Sequence, residues 1–218
     1  IHRRFHHSLV TFSFMYAWSE NFMLPISHDE VVHGKRALLD KMPGDEWQKR
    51  ANYRWFRAYM TAHPGKKLLF MGCEFGQWQE WREQHSLDWH LLEQPEHRAL
   101  LDLNRDLNHL YRENPALHAS DTDPAGFAWI DLHNGDQSVF AFMRRSPLHP
   151  DKPIVLTFYV SFSRAGKPLR DQASGARTEM LATSYRQYEM TIRSLMSRLF
   201  ARSGFDARRD IAGIILNR

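Results

Sequence analysis

The sequence predicts an α/β fold, and three observations carry that reading. Over the first 113 residues, segments with apolar residues at helical spacing alternate with short unbroken apolar runs, the pattern of strands covered by helices. Two strand-like runs joined through Asn134-Gly135 follow, which signals an antiparallel hairpin. Pro147, Pro150 and Pro153 then mark a seam beyond which the composition changes.

Taken in order, residues 2 to 20 are expected to be helical, stopping before Asn21, and Phe22-Met23-Leu24-Pro25-Ile26 is a strand candidate. Asp45 opens a second helix. With Gln48 three residues on, it forms a capping box in which each side chain satisfies a free amide of the first turn. Trp47, Ala51, Trp55, Ala58 and Ala62 recur at helical spacing, and His63-Pro64-Gly65 stops the run. Leu68-Leu69-Phe70-Met71 is an apolar stretch of the kind buried on both faces of a parallel sheet. Pro95 fits the first turn of a third helix, whose stripe of Leu100, Leu103, Leu107 and Leu110 predicts packing against a sheet. Phe127 to Leu132 and Ser138 to Met143 are the hairpin strands. Past the seam, Ile154 to Val160 is a strand candidate, and Leu181, Tyr185, Tyr188, Ile192, Leu195 and Leu199 define one long amphipathic helix ending near Ser203-Gly204. Ile211 to Leu216 reads as a last strand.

With 218 residues, 43% of them hydrophobic, the chain can bury a sizeable core. It contains no apolar run of 18 residues and no secretion-type leader, so a cytoplasmic protein without a membrane partner is expected. The first residue, Ile1, suggests a truncated N-terminus. Cys73 has no disulfide partner and is read as a small buried apolar residue. The net charge of +4 hides a split at Ser146. Residues 1 to 146 carry 17 Lys+Arg and 19 Asp+Glu, whereas 147 to 218 carry 12 and 6. All seven Trp and 12 of the 13 His precede the seam. Such a shift suggests segments of different origin.

Chemistry concentrates in Leu24-Pro25-Ile26-Ser27-His28-Asp29-Glu30-Val31-Val32-His33-Gly34-Lys35. An apolar strand running directly into His-Asp-Glu sets a carboxylate beside an imidazole at the C-terminal end of a strand, where barrel enzymes hold their active sites. A helix N-cap with a neighbouring charge fits the same residue types, and spacing alone leaves both readings open.

The motif, with Tyr16-Ala17-Trp18-Ser19-Glu20-Asn21-Phe22 before it and Lys41-Met42-Pro43-Gly44-Asp45 after it, resembles the last catalytic region of bacterial glycogen (1,4-alpha-glucan) branching enzymes of the alpha-amylase superfamily. Ala62-His63-Pro64-Gly65-Lys66-Lys67-Leu68-Leu69-Phe70-Met71-Gly72, Glu74-Phe75-Gly76-Gln77-Trp78, Glu80-Trp81 and Ser86-Leu87-Asp88-Trp89 extend the likeness. So do Asp106-Leu107-Asn108, Tyr111-Arg112-Glu113, Phe127 to Asp131 and Ser138 to Arg145; Trp18 and Cys73 depart from the expected residues.

The resemblance implies that residues 1–113 are the last portion of a (β/α)8 barrel. It further implies that 114–146 are the first strands of a C-terminal β-domain, followed by an unrelated α+β tail over 147–218. It implies a retaining glucanosyl transfer that creates α-1,6 branches, with an Asp nucleophile, a Glu acid/base and a third Asp that holds the distorted sugar. By motif position Asp29 is that third carboxylate, the stabiliser of the transition state, and His28 hydrogen-bonds the same sugar; the two are the expected catalytic and substrate-binding pair. The implied substrate is an α-1,4-glucan, glycogen or amylose. Nucleophile and acid/base would lie on earlier barrel strands, so the chain alone is expected to be inactive. A whole barrel needs about 250 residues.

Other candidates weigh less. Glu74 shares the rim and is assigned a loop-holding role. Trp78, Trp81 and Trp89 fit either sugar stacking or the core, with the core favoured. His2 and His6 are spaced i,i+4 without a third ligand, and Asp121-x-Asp123 lacks the Glu that closes a calcium loop, so no metal is assigned. The tail is similar to flavin-dependent amine oxidoreductases of the spermidine-dehydrogenase type through Pro153 to Val160, Phe205-Asp206 and Arg209 to Arg218, which makes a fused chain the alternative reading. A G-x-G-x-x-G phosphate cradle is absent, so no cofactor is expected. The basic helix is assigned to core packing, with partner docking as its alternative; nucleic acid is not expected as a partner, and nothing fixes the oligomeric state.

Overall fold

A parallel unit underlies the first half of the molecule. The structure, a computed structural model, describes residues 6–133, 135 and 139–159. Strand β1 (Met23–Ile26) pairs in parallel with β2 (Lys66–Leu69), Ile26 lying opposite Leu69. The helix Glu46–Ala62 connects them; a shorter helix, α1 (His7–Thr11), precedes it, so it is named α2. Helix α2 starts as expected, with Asp45 accepting from the Gln48 amide and the Gln48 side chain accepting from the Asp45 amide. A cap of this kind stabilises a helix by about 1 kcal/mol. It ends at His63, ahead of Pro64 and Gly65, whose φ of +104° only glycine adopts at little cost.

Helix α2 has two buried faces where the sequence suggested one. Ala58 and Ala62 join a core with Phe14, Leu117, Phe140 and Phe142, while Tyr53 and Met60 join another with Ile26, Val31, Leu39, Cys73 and Leu100. Trp47, first of the expected stripe, is half exposed, and Tyr53 is fully enclosed. The tyrosine hydroxyl donates to the carbonyl of Cys73. Cys73 is buried, as expected, and burial pushes its thiol up to about 12.

Three further expectations need correction. The N-terminal helix is short: α1 passes into a 3-10 turn over Phe12–Met15, because Phe14 is pulled among Phe127, Phe142, Trp129 and His63. The run from Leu68 to Met71 is only partly covered, since β2 pairs with β1 alone among the described residues, and Met71 lies on the surface. Helix α3 (Pro95–Glu113) does begin at Pro95, yet its main neighbour is α2, not a sheet. Arg57 Nε donates to Asn104 Oδ1 at 2.7 Å across that contact.

The second half is an antiparallel sheet of β3 (Phe127–Asp131), β4 (Val139–Ser146) and β5 (His149–Tyr159), in that order. The expected hairpin partners do pair, Phe127 opposite Arg144. The seam does not divide the core. Ser146 and His149 flank the turn of the β4–β5 hairpin, and Ile154, Leu156 and Phe158 enter the same core as Phe14, Ala62 and Phe140. The tail read as unrelated from residue 147 therefore shares the core of the preceding residues over His149–Tyr159. Pro147 serves the turn, and Pro150 and Pro153 sit beside a register shift on a strand that is the sheet edge among the described residues, places where a missing amide donor is tolerated. The helix expected around Leu181 to Leu199, the strand at Ile211 to Leu216 and His2 lie outside the described residues.

A buried charge pair joins the halves. Arg144 Nη1 donates to the carbonyl of Ala62, the last residue of α2, and Nη2 donates to Asp121 Oδ1, each at 2.8 Å. Both side chains are enclosed. Tyr111 Oη donates to the other Asp121 oxygen at 3.1 Å, with Lys66 Nζ 3.4 Å away. Asp121, weighed in the sequence as part of a metal loop, is thus an internal partner of arginine, and Asp123 caps the turn Pro124–Gly126.

Candidate functional site

Because β1 and β2 run in parallel, the segments leaving their C-terminal ends emerge side by side, and the His-Asp-Glu motif is one of them. Ser27 stays extended and its hydroxyl accepts from the Asp29 amide at 3.3 Å, capping a single 3-10 turn, His28–Glu30. Both readings of the motif are therefore present in one place: a capped turn, and a carboxylate beside an imidazole. His28 Nε2 lies 3.2 Å from Asp29 Oδ1, and both side chains are mostly exposed at the strand rim. The His28 ring stands 6.1 Å from that of Phe70, the first residue beyond β2.

The loop after the turn is held from several sides. Val31 is buried, and its carbonyl accepts from the Trp81 amide at 2.8 Å. Glu80 Oε2 accepts from the Gly34 amide at 2.9 Å and from the Arg36 amide at 3.3 Å, and Glu80 Oε1 lies 3.5 Å from His33 Nδ1. Lys41 Nζ donates to the carbonyl of Glu30. Farther along, Asp40 takes Arg36 Nε at 2.6 Å and Lys49 Nζ at 2.5 Å, and these two cations hold its carboxyl down at about 2.

The second rim loop follows β2. Glu74 is fixed through its backbone, whose carbonyl accepts from Asn104 Nδ2 at 2.6 Å. Gly76 has φ +70°, and a Cβ there would come within 2.7 Å of Leu100 Cδ1, so this turn lies directly on α3. Trp78 and Trp81 pack against the core, Trp81 meeting Phe70 edge-on at 5.3 Å. Trp89 differs from them: it leans on Phe75 at 5.4 Å and is half exposed. A polar recess of about 330 Å³, lined by Glu80, Trp81, Arg82, His85 and Asp88 among others, opens beside this loop.

Of the residues singled out in the sequence, His28 and Asp29 are neighbours at the rim, with Glu74 following the adjacent strand. Glu80 and Lys41 were missed as anchors of the motif loop. Glu80 is 46 positions from Gly34, a separation that no local periodicity exposes. No helix among the described residues is long and apolar enough to cross a membrane.

No protein-family model matches the chain. It is 53% identical over 188 residues to the 1,4-alpha-glucan branching enzyme GlgB of Thiobacillus denitrificans, a match covering 86% of this chain and 25% of that protein. It is 60% identical over 145 residues to the GlgB of Nitrobacter winogradskyi, 66% of this chain and 20% of the relative. To that of Aquifex aeolicus it is 49% identical over 188 residues, 86% and 30%. A match of 188 residues cannot be contained in residues 1 to 145. It continues into the segment read as foreign, and the fused-chain alternative with a flavin oxidoreductase tail is not supported. The chain spans between 20% and 30% of the length of these relatives, and over that span it is similar to a segment of 1,4-alpha-glucan branching enzymes.

Proposed function

We propose that this chain is the part of a 1,4-alpha-glucan branching enzyme that grips the sugar next to the bond being cut, through Asp29 and His28. The arrangement that carries this reading is an imidazole 3.2 Å from a carboxylate, both open to solvent, at the C-terminal end of a strand in a parallel strand-helix-strand unit. An ionised carboxylate accepts two adjacent ring hydroxyls, and its hold strengthens as positive charge develops on the ring. His28 orients Asp29 and offers a donor to the same sugar.

In this reading residues 1–113 form the last portion of a (β/α)8 barrel and 114–146 begin a C-terminal β-domain that β5 continues. The parallel β1–α2–β2 unit followed by an antiparallel sheet supports that order. The whole enzyme would be a glycosyltransferase that cuts an α-1,4-glucan and rejoins it through an α-1,6 bond. The covalent intermediate needs a nucleophile and an acid/base, supplied by portions of the enzyme that the relatives carry outside the matched segment. The test is branching by a full-length relative in which the matched segment is replaced by this one. Activity there, lost with Asp29→Asn, bears the reading out; normal activity of that variant overturns it.

A further inference from the structure

We infer that Glu80 is a positioning residue that fixes the loop behind His28 and Asp29, an inference that rests on the reading of those two side chains as glucan contacts. Two residues of this loop occupy the left-handed region, Gly34 at φ +78° and Arg36 at φ +66°, and Arg36 does so with a side chain. An arginine adopts that backbone only where its surroundings demand it. The demand is visible: both amides point to one oxygen of Glu80, and His33 lies against the other. The Glu80 side chain is 16% exposed, so water competes weakly for these contacts.

The anchor continues toward the motif along a path of direct contacts. The next residue, Trp81, donates its amide to Val31 two positions past Asp29, and its ring meets Phe70, which faces the His28 ring. One short segment thus grips the motif loop at Val31, Gly34 and Arg36 and supports the ring beside His28. A carboxylate on the wall of the recess, where a sugar-contacting role is the obvious guess, instead spends one oxygen on two backbone amides and sets the other against His33. Its effect on the reaction passes through the placement of Asp29, where a shift on the order of 1 Å is worth about 100-fold in rate.

Hydrogen exchange on the 218-residue chain reads the anchor directly. Glu80→Ala should speed exchange of the Gly34 and Arg36 amides by about tenfold or more, with the enclosed amides of Tyr53 and Leu100 unchanged. Glu80→Gln keeps a side-chain oxygen for both amides and should stay close to the parent. In the segment-replaced branching enzyme, Glu80→Ala should lower kcat by about tenfold or more with little change in KM, and Glu80→Gln should recover most of it. Unchanged exchange in Glu80→Ala, a rise in KM alone, or a Gln variant as impaired as Ala overturns the inference. If Glu80→Ala exchanges everywhere because it fails to fold, the Gln variant decides alone: parent-like exchange and rate support the anchor, and loss of both overturns it. Normal branching by Asp29→Asn would instead fell the underlying reading and leave the exchange result standing.

Discussion

Ser13 Oγ lies 2.8 Å from His63 Nε2, and His63 Nδ1 lies 2.6 Å from the carbonyl of Pro64. A carbonyl only accepts, so the ring proton sits on Nδ1 and Nε2 accepts from the serine hydroxyl. The hydroxyl could equally accept from a protonated ring, so it is burial that keeps the imidazole neutral, pushing this histidine down to about 4. The unfolded chain takes up the proton near pH 6.5 and the folded one only near 4, so between these values unfolding gains a proton. Stability is complete above about pH 6.5 and falls by about 3 kcal/mol as the pH drops to 4. Urea midpoints at pH 7.5, 5.5 and 4.5 should decline in the parent and flatten in His63→Gln. A parent midpoint that does not move across this range would refute the assignment.

Removing one member of the Arg144 and Asp121 pair leaves a charge enclosed without its partner. Arg144→Met or Asp121→Asn should each cost about 3–5 kcal/mol in denaturant unfolding. The double change Arg144→Met with Asp121→Asn should cost less than the two single values added, because no charge is then stranded. Strict additivity would show that the two act separately.

What the sequence disclosed and what it hid divide along physical lines. The capping box at Asp45, the stop at Pro64, the start at Pro95 and the pairing of β3 with β4 are encoded within a few residues, and each is legible there. The second face of α2 was missed because Tyr53 and Met60 interleave with Trp55 and Ala58, so a single-stripe reading takes the helix as one-sided. The prolines of β5 read as a boundary because the rule that prolines end structure has an exception at sheet edges, and which strand is an edge is a property of the assembled sheet. At the proposed site, the motif set His28 and Asp29 side by side, while Glu80 and Lys41, although each lies in a stretch that carries the resemblance, give no local sign that they contact the motif loop.

Phe158 tests whether β5 belongs to the core. Its ring stacks on Phe140 at 5.1 Å and is nearly buried. Phe158→Ala should destabilise the chain by about 3–5 kcal/mol, as for other enclosed phenylalanines. A loss below about 0.5 kcal/mol, the range of ordinary surface changes, would return β5 to the status of an appendage.

The chain on its own, incubated with amylose, should introduce no α-1,6 linkages, since Asp29 cannot form a glycosyl-enzyme intermediate without a nucleophile and an acid/base. Debranching followed by chain-length analysis reads this directly, and any new branch point would contradict it. On the proposed role of Asp29, Asp29→Asn in a full-length enzyme carrying this segment should lower kcat by about 100-fold or more with the thermal midpoint held, because the charge lost would act mainly in the transition state.

The Ala62 carbonyl that accepts from Arg144 belongs to the last residue of the helix that leads, through His63-Pro64-Gly65, into β2. A cation rooted in the antiparallel sheet therefore meets the point where the parallel unit turns, and one buried contact is shared by the two. Recombination between homologous genes that cuts anywhere from Ala62 to Arg144 would pair an arginine with a foreign helix end or an aspartate with a foreign strand. Crossovers are best tolerated outside that interval, and the block from α2 through β4 should pass intact through shuffling libraries.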